Sequence, residues 1–206
     1  ELGRSMVYHV IFLLAGSYYQ KITGDIQNSR LILRFEKFAR GIPIRYFQDA
    51  AESIKPAYFR GVPEAFGAFC SRGVPCGVIS LGIDIVIREL LDYLEKSKGI
   101  EFAFFDCTCV AADENELFSG FVPGKTYLTN DAKKHRVRAR CKEFSAARPL
   151  VIGHDRDDLM MFDEAREMGG TRIGFRPVPE TYEYLDAAVF ARDWRPLSAL
   201  ITESLD

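Results

Sequence analysis

The sequence lacks two features that would indicate a membrane or a nucleic acid as its partner. No apolar run approaches the roughly 20 residues that a membrane-spanning helix needs, and the apolar stretch Val7–Ala15 is far shorter. No small-residue cleavage pattern follows that stretch, so it does not resemble a signal peptide. Charge of one sign is also missing, because 27 basic residues face 29 acidic ones for a net charge of -2. We therefore expect neither nucleic acid nor a membrane as an obligate partner.

Cysteine pairs with the spacing of a metal site are missing as well. The closest approach among the five cysteines is Cys107 and Cys109, and a pair separated by a single residue is a weak signal. The pattern is typical of reduced, mostly buried thiols in a cytoplasmic protein. Residues 1–5 resemble an expression scar, which places the natural start at Met6. The other cysteines are Cys70, Cys76 and Cys141.

Short apolar runs alternate with amphipathic segments along most of the chain. Most of these runs carry no polar alternation, as in strands that are buried on both faces of a parallel sheet. The segments between them carry helix signals, such as Asp84 as an N-terminal cap and Gly99 after the end of the same helix. The alternation predicts a three-layer, Rossmann-like α/β domain with helices on both sides of the sheet. The predicted strands are Val7–Leu14, Val74–Ser80, Ile100–Phe105, Leu150–Gly153, Thr171–Phe175 and Ala187–Phe190.

Residues 19–59 depart from this rhythm. A helix is predicted from Ser29 to about Gly41, and a second polar and aromatic helix through Tyr46 to Ile54. We interpret the segment as a small helical cap inserted after the first strand. The core domain would then comprise residues 6–18 and 60–206.

Three segments carry a resemblance that covers nearly the whole chain. They are GVPEAF at 61–66 with CSRGVPCGVISLGID at 70–84, DAKKHRV at 131–137, and VIGHDRDDLMM at 151–161. These segments are similar to the second, third and fourth motifs of the haloacid dehalogenase (HAD) phosphatase superfamily, in its phosphoserine-phosphatase-like branch. The resemblance implies a Rossmann-like core, a small cap after the first strand, and a site at the carboxyl ends of the strands.

The first motif of that superfamily is degenerate in this chain. The resemblance implies two aspartates there, one as the nucleophile that attacks phosphorus and one as the acid and base. The matching segment is VIFLLAGS at 10–17, in which Leu13 and Ala15 occupy the two positions. Neither side chain can attack phosphorus or transfer a proton. The sequence therefore favours a homologue without catalytic activity.

The fourth motif is degenerate too. The resemblance implies two acids, four residues apart, that hold Mg²⁺ together with the nucleophile, and here those positions are His154 and Asp158. Asp155 and Asp157 lie nearby at other offsets. Mg²⁺ prefers several hard oxygen ligands in an octahedron, so we expect Asp158 to be the one acid left and no Mg²⁺ to bind tightly. The alternative is a softer ion such as Zn²⁺ on His154, Asp155 and Asp158, although a structural substitution is favoured.

The half of the motif set that holds phosphate is retained. Backbone amides at helix starts, a serine hydroxyl and a lysine attract an anion without the missing acids. Lys134 is the preferred lysine because the apolar Val137 follows it by three residues, and Lys133 is the alternative. Ser80 as a simple helix cap and Lys134 as a solvated side chain remain an equal possibility. The resemblance places the phosphate site at Gly16, Ser17, Ser80, Leu81, Gly82 and Lys134.

Other polar residues are better explained by structure than by chemistry. Asp106 and Thr108 echo an Asp-x-Thr signature but belong to the third apolar run. His9 lies within a predicted strand, and His135 lies on a basic helix, where a solvated face is expected.

Three functions stay open at this point. The favoured one is a HAD-like homologue without the catalytic aspartates, which binds a phosphorylated ligand or a protein partner. The second is a phosphomonoester hydrolase that uses displaced acids such as Asp155 or Asp157, or a carboxylate of the cap. The third is a different enzyme whose altered pocket binds another metal.

Overall fold

The computed structural model describes residues 29–54, 61–127 and 129–205. The predicted first strand lies outside these ranges, as do Leu13, Ala15, Gly16 and Ser17. The described helices are α1 (Ser29–Ala39), α2 (Ile44–Ile54), α3 (Val62–Cys70), α4 (Asp84–Lys98), α5 (Asn130–Glu143), α6 (Leu159–Glu167) and α7 (Arg195–Leu205). The strands are β1 (Gly77–Ile83), β2 (Phe104–Thr108), β3 (Val110–Ala112), β4 (Phe118–Phe121), β5 (Leu150–Gly153), β6 (Thr171–Phe175) and β7 (Ala187–Val189).

Two of the three described sheet segments are parallel and alternate with helices, which confirms the predicted α/β fold. Strand β1 pairs with β2, and β6 pairs with both β5 and β7, in each case in parallel. Apolar residues of these strands are buried against helices, such as Ile173 beside α3 and α7 and Val151 beside α5 and α6. Parallel strands that are covered in this way lose their polar alternation, which is why their runs were readable in the sequence.

Two strands begin later than the sequence predicts. Strand β1 starts at Gly77 rather than Val74, because the chain first turns through Gly73 and then passes Pro75, which has no amide to donate to a ladder. Strand β2 starts at Phe104 rather than Ile100. Ile100 is buried against Val62 and Leu94 in the loop after α4. Its apolar side chain therefore extended the predicted strand into a loop.

Helices α1 and α2 occupy the region predicted for the cap, and an unpredicted hairpin packs against them. Strands β3 and β4 pair in antiparallel, and Phe118 of β4 lies in a cluster with Phe35 and Phe47 of the two helices. The link between the helices also bonds to the hairpin, since the amide of Gly41 donates to the carbonyl of Phe118 at 2.9 Å. The chain boundaries of the cap stay a prediction.

None of the helices in the described part of the chain is long and apolar enough to cross a membrane.

Candidate phosphate-binding site

The turn after β5 folds a carboxylate back onto the backbone. Asp155 accepts the amide of Asp157 at 2.9 Å and so caps a short 3₁₀ helix, Arg156–Asp158. Asp158 in turn accepts hydrogen bonds from the backbone: its Oδ2 accepts from the amide of His154 at 2.8 Å and from that of Asp155 at 3.4 Å. These hydrogen bonds fix the Asp158 carboxylate at the carboxyl end of β5, the edge where sites lie in parallel α/β sheets.

A buried ion pair completes the environment of Asp158. The Nζ of Lys133 on α5 lies 2.9 Å from Oδ1 of Asp158, and each side chain is only 9% exposed. Burial alone raises the pKa of Asp158, but the Lys133 charge, its hydrogen bond and the two backbone amides together outweigh burial and lower it. Asp158 is therefore held as a carboxylate, with a donor on each of its oxygens.

Gly153 leaves the space that this carboxylate fills. A Cβ at Gly153 would lie 2.6 Å from Oδ2 and 2.7 Å from Cγ of Asp158, closer than nonbonded atoms approach. The glycine that ends β5 is thus required by the close approach of Asp158, whatever chemistry the site performs.

The structure places the two candidate lysines in different surroundings, and Lys133 rather than the preferred Lys134 lies against Asp158. The Nζ of Lys134 lies 2.9 Å from Glu167 and 3.6 Å from Glu164, both on α6. The buried stripe of α5 runs through Lys133, Val137 and Cys141 at intervals of four residues. Val137 lies four residues after Lys133 and three after Lys134. The inward-facing lysine is therefore the one that precedes the apolar residue by four positions. Phosphate binding by either lysine stays a prediction.

The predicted residues on β1 lie in an irregular segment at its carboxyl end. The register to β2 shifts between Ile79 and Ile83, and within that shift Ser80 Oγ accepts the amide of Gly82 at 3.0 Å. Leu81 accepts a hydrogen bond from the hydroxyl of Thr108 at 3.1 Å. Ser80 therefore supports its own turn rather than capping α4, and its hydroxyl hydrogen can still be donated. Helix α5 contacts β1, and Ile79 packs against the cluster that holds Val137 and Cys141.

Asp84 also differs from its predicted role. It is the first residue of α4 and makes no capping bond to a later turn. Its Oδ1 accepts the amides of Ile85 at 2.9 Å and of Val110 at 3.0 Å. Asp84 thus ties the start of the hairpin to α4, which a cap prediction from sequence alone does not reveal.

The residues that the superfamily would use for Mg²⁺ do not fit that ion here. His154, Asp155 and Asp158 offer atoms within 4.8 Å of one another. One of the three is an imidazole, and both oxygens of Asp158 already accept hydrogen bonds from Lys133 and the amides. Mg²⁺ requires several free oxygens in an octahedron. An imidazole suits a softer ion better, but the ammonium of Lys133 would repel any cation placed there.

The remaining polar candidates have structural partners. Arg140 donates from Nε and Nη2 to the buried Asp106 at 2.7 and 2.8 Å, and Tyr127 donates to it at 3.5 Å. Glu164 is fully buried and accepts from Arg138 at 2.5 Å, a contact between α5 and α6. Lys134, Arg138 and Arg140 of α5 therefore pair with acidic side chains of the fold. The sequence analysis overlooked Glu164, which lies among the apolar residues of α6 and so could have indicated a buried partner for a basic residue.

Comparison with known proteins gives structural relatives only. No protein-family model matches the chain, and no curated protein matches it. A phosphoserine phosphohydrolase-like protein from Francisella tularensis subsp. tularensis SCHU S4 superposes with a TM-score of 0.73 at 14% identity, covering 97% of this chain and 90% of that one. A substrate-bound phosphoserine phosphatase superposes with a TM-score of 0.68 at 18% identity, covering 86% of this chain and 79% of that one. A HAD family hydrolase from Salmonella enterica serovar Typhi superposes with a TM-score of 0.69 at 17% identity, covering 91% of this chain and 60% of that one.

These similarities extend over most of the chain, and at such low identity they concern the fold. The chain has the fold of the phosphoserine phosphatases and hydrolases of the HAD superfamily, as the sequence resemblance predicted.

Proposed function

We propose that this protein binds a phosphorylated ligand without hydrolysing it. The observation that carries the proposal is the state of Asp158, the one acid that remains at the metal position. Its carboxylate is buried and accepts hydrogen bonds from Lys133 at 2.9 Å and from the amide of His154 at 2.8 Å. The sequence adds Leu13 and Ala15 where the superfamily has its nucleophile and its acid and base. Without that nucleophile and that acid and base, the superfamily's own route to hydrolysis is closed.

Donors for a phosphate are nevertheless present. Ser80 lies in the carboxyl-terminal half of β1, and its hydroxyl hydrogen can be donated to an anion. The Lys133 ammonium has three hydrogens, of which Asp158 takes one. Because Asp158 also neutralises that charge, the attraction for a dianion is modest. We expect a dissociation constant around millimolar, or roughly 4 kcal/mol of binding free energy.

The test is a titration of the ¹⁵N-labelled protein with inorganic phosphate and with phosphoserine, followed by amide shifts. Saturable shifts should appear at Ser80, Leu81 and Gly82, and Ser80→Ala should weaken binding several-fold. Lys134→Ala is the matched control, since Lys134 pairs with α6, and its titration should equal that of the parent. Identical shifts in Ser80→Ala and the parent, or shifts confined to residues remote from β1 and β5, would contradict the proposal.

Hydrolysis by a displaced acid is the competing proposal, and one contact favours it. The Nε2 of His154 lies 3.5 Å from Oδ2 of Asp155, and both side chains are accessible, with Asp155 at 37% exposure. A His–Asp pair can activate a water molecule. Steady release of phosphate from phosphoserine that is lost in both Asp155→Asn and His154→Ala would establish this alternative.

A further inference from the structure

Two cysteines that are distant from the candidate site lie on either side of one turn. Cys70 is the last residue of α3 and is half-buried, and Cys76 directly precedes β1 and is 8% exposed. The turn between them is tight, because the amide of Gly73 donates to Cys70 at 3.0 Å and that of Val74 donates to Phe69 at 3.1 Å. Gly73 allows the turn through its positive φ of 68°. The chain therefore leaves the helix and returns alongside its last turn.

A short segment before β2, residues 101–103, contacts both cysteines. The thiol of Cys70 donates to the carbonyl of Glu101 at 3.5 Å, and the carbonyl of Cys76 accepts the amide of Ala103 at 2.8 Å. Two anchor points two residues apart on one segment keep the cysteines adjacent. Burial, together with the neighbouring Cys70 thiol, raises the pKa of Cys76 to about 12.

We propose that Cys70 and Cys76 form a reversible disulfide by exchange with a low-molecular-weight disulfide such as oxidised glutathione. The accessible Cys70 loses its proton and attacks one sulfur of the oxidant, and the first glutathione leaves as a thiol that takes up the proton. Cys76 then loses its proton and attacks the Cys70 sulfur, releasing the second glutathione as a thiol. Two protein thiols are oxidised and one glutathione disulfide is reduced to two thiols, so electrons and protons balance.

The order of these steps follows from access. Cys76 is buried against α3, α7 and β6, which leaves no room for a bulky oxidant. Cys70 is part-exposed and can form the mixed disulfide first. The resulting bridge joins the end of α3 to the start of β1, at the opposite edge of the sheet from Ser80 and Asp158. The bridge therefore forms whether or not the protein binds phosphate.

The experiment incubates the folded protein with oxidised glutathione, removes the oxidant, and then labels free thiols with a maleimide in denaturant for intact mass. Two of the five thiols should become unlabelled without a retained glutathione, and a reductant should restore them. Trypsin cleaves after Arg72, within the turn, so the bridged form yields two peptides linked by a disulfide. That mapping uses the unmodified protein and does not depend on any variant folding.

Three variants sharpen the result. Cys76→Ser should stop at one glutathione adduct on Cys70, and Cys70→Ser should leave its remaining thiols labelled. Cys141→Ser is the control and should still lose two thiols, because Cys141 lies in the separate cluster of α5 and α6. A stable glutathione adduct on Cys70 of the unmodified protein, five labelled thiols, or a linked pair that includes Cys107 or Cys109 would overturn the proposal.

Discussion

The Nζ of Lys133 lies 2.9 Å from Oδ1 of Asp158, and both side chains are almost fully buried. The contact joins helix α5 to the turn that follows β5. Each group is the counter-charge of the other in a place where water cannot replace it. The pair therefore both holds the candidate site together and occupies the carboxylate that a metal ion would need.

The first prediction concerns the stability that this pair supplies. Lys133→Met leaves the Asp158 carboxylate buried without its counter-charge, which typically costs about 3–5 kcal/mol of unfolding free energy. The double variant Lys133→Met with Asp158→Leu should recover much of that loss, because it removes both charges. Lys134→Met is the control and should change stability little. Urea unfolding measures all four proteins, and equal losses for Lys133→Met and Lys134→Met would show that the pair is not the inward-facing one.

The second prediction concerns acid. The pKa of Asp158 is lowered in the folded protein from its ordinary value of 3.8, so its contribution to stability is complete above that value. The contribution is lost as the pH falls from about 4 through the lower folded pKa, since protonation breaks the bond to Lys133. The parent should therefore lose more unfolding free energy between pH 5 and pH 2 than Lys133→Met with Asp158→Leu. Parallel pH profiles for the two proteins would contradict the assignment.

The third prediction concerns metal ions. A ligand that binds only the folded state stabilises it by RT ln(1 + [L]/Kd) and so raises the melting temperature. Millimolar Mg²⁺ should leave the melting temperature unchanged, because the oxygens of Asp158 are already bonded. Zn²⁺ tests the softer alternative on His154 and Asp155. A rise of several degrees in the melting temperature with Mg²⁺, absent in Asp158→Ala, would show that the ion displaces Lys133 from Asp158 and would contradict the prediction.

The fourth prediction uses the glycine that ends β5. Gly153→Ala places a methyl group 2.6 Å from Oδ2 of Asp158, so the carboxylate must move. Overpacking of this kind costs about 1–3 kcal/mol, and the phosphate titration should weaken with it. Gly67→Ala is the matched control: Gly67 lies within α3 with open space around its Cα, and the change should gain about 0.5–1 kcal/mol of helix stability. Equal stability of the two variants in urea would count against the close approach at Gly153.

The fold was predictable because parallel strands and their helices leave plain signals in the sequence. The runs Leu150–Gly153 and Thr171–Phe175 match β5 and β6 at both ends. The hairpin of β3 and β4 was missed because its strands have three and four residues, too few to show an alternation. Its stability comes from packing: Phe118 lies against Phe35 and Phe47, which are about 70 residues or more away in sequence.

The resemblance indicated which residues would form the candidate site, but the contacts of those residues could not be predicted from the sequence. Ser80, Asp158 and a lysine of α5 were identified from motif spacing. Which of two adjacent lysines points inward depends on how α5 is rotated against β5 and α6. That rotation is set by Val137 and Cys141 in the core and by Glu164, which draws Lys134 and Arg138 to the other side. Such partners lie about 25–35 residues apart, and no local pattern contains them.

The most direct test of binding without hydrolysis follows phosphoserine by ³¹P NMR in the presence of the protein and Mg²⁺. One spectrum series reports both binding and hydrolysis. We predict that the phosphoserine signal shifts or broadens with protein concentration, less so with Ser80→Ala, while no inorganic phosphate accumulates over many hours. Loss of members of a catalytic set typically lowers rates by about 10⁴–10⁶-fold, so intact substrate is the expected result. Steady release of inorganic phosphate by the parent, abolished by Asp155→Asn, would contradict it.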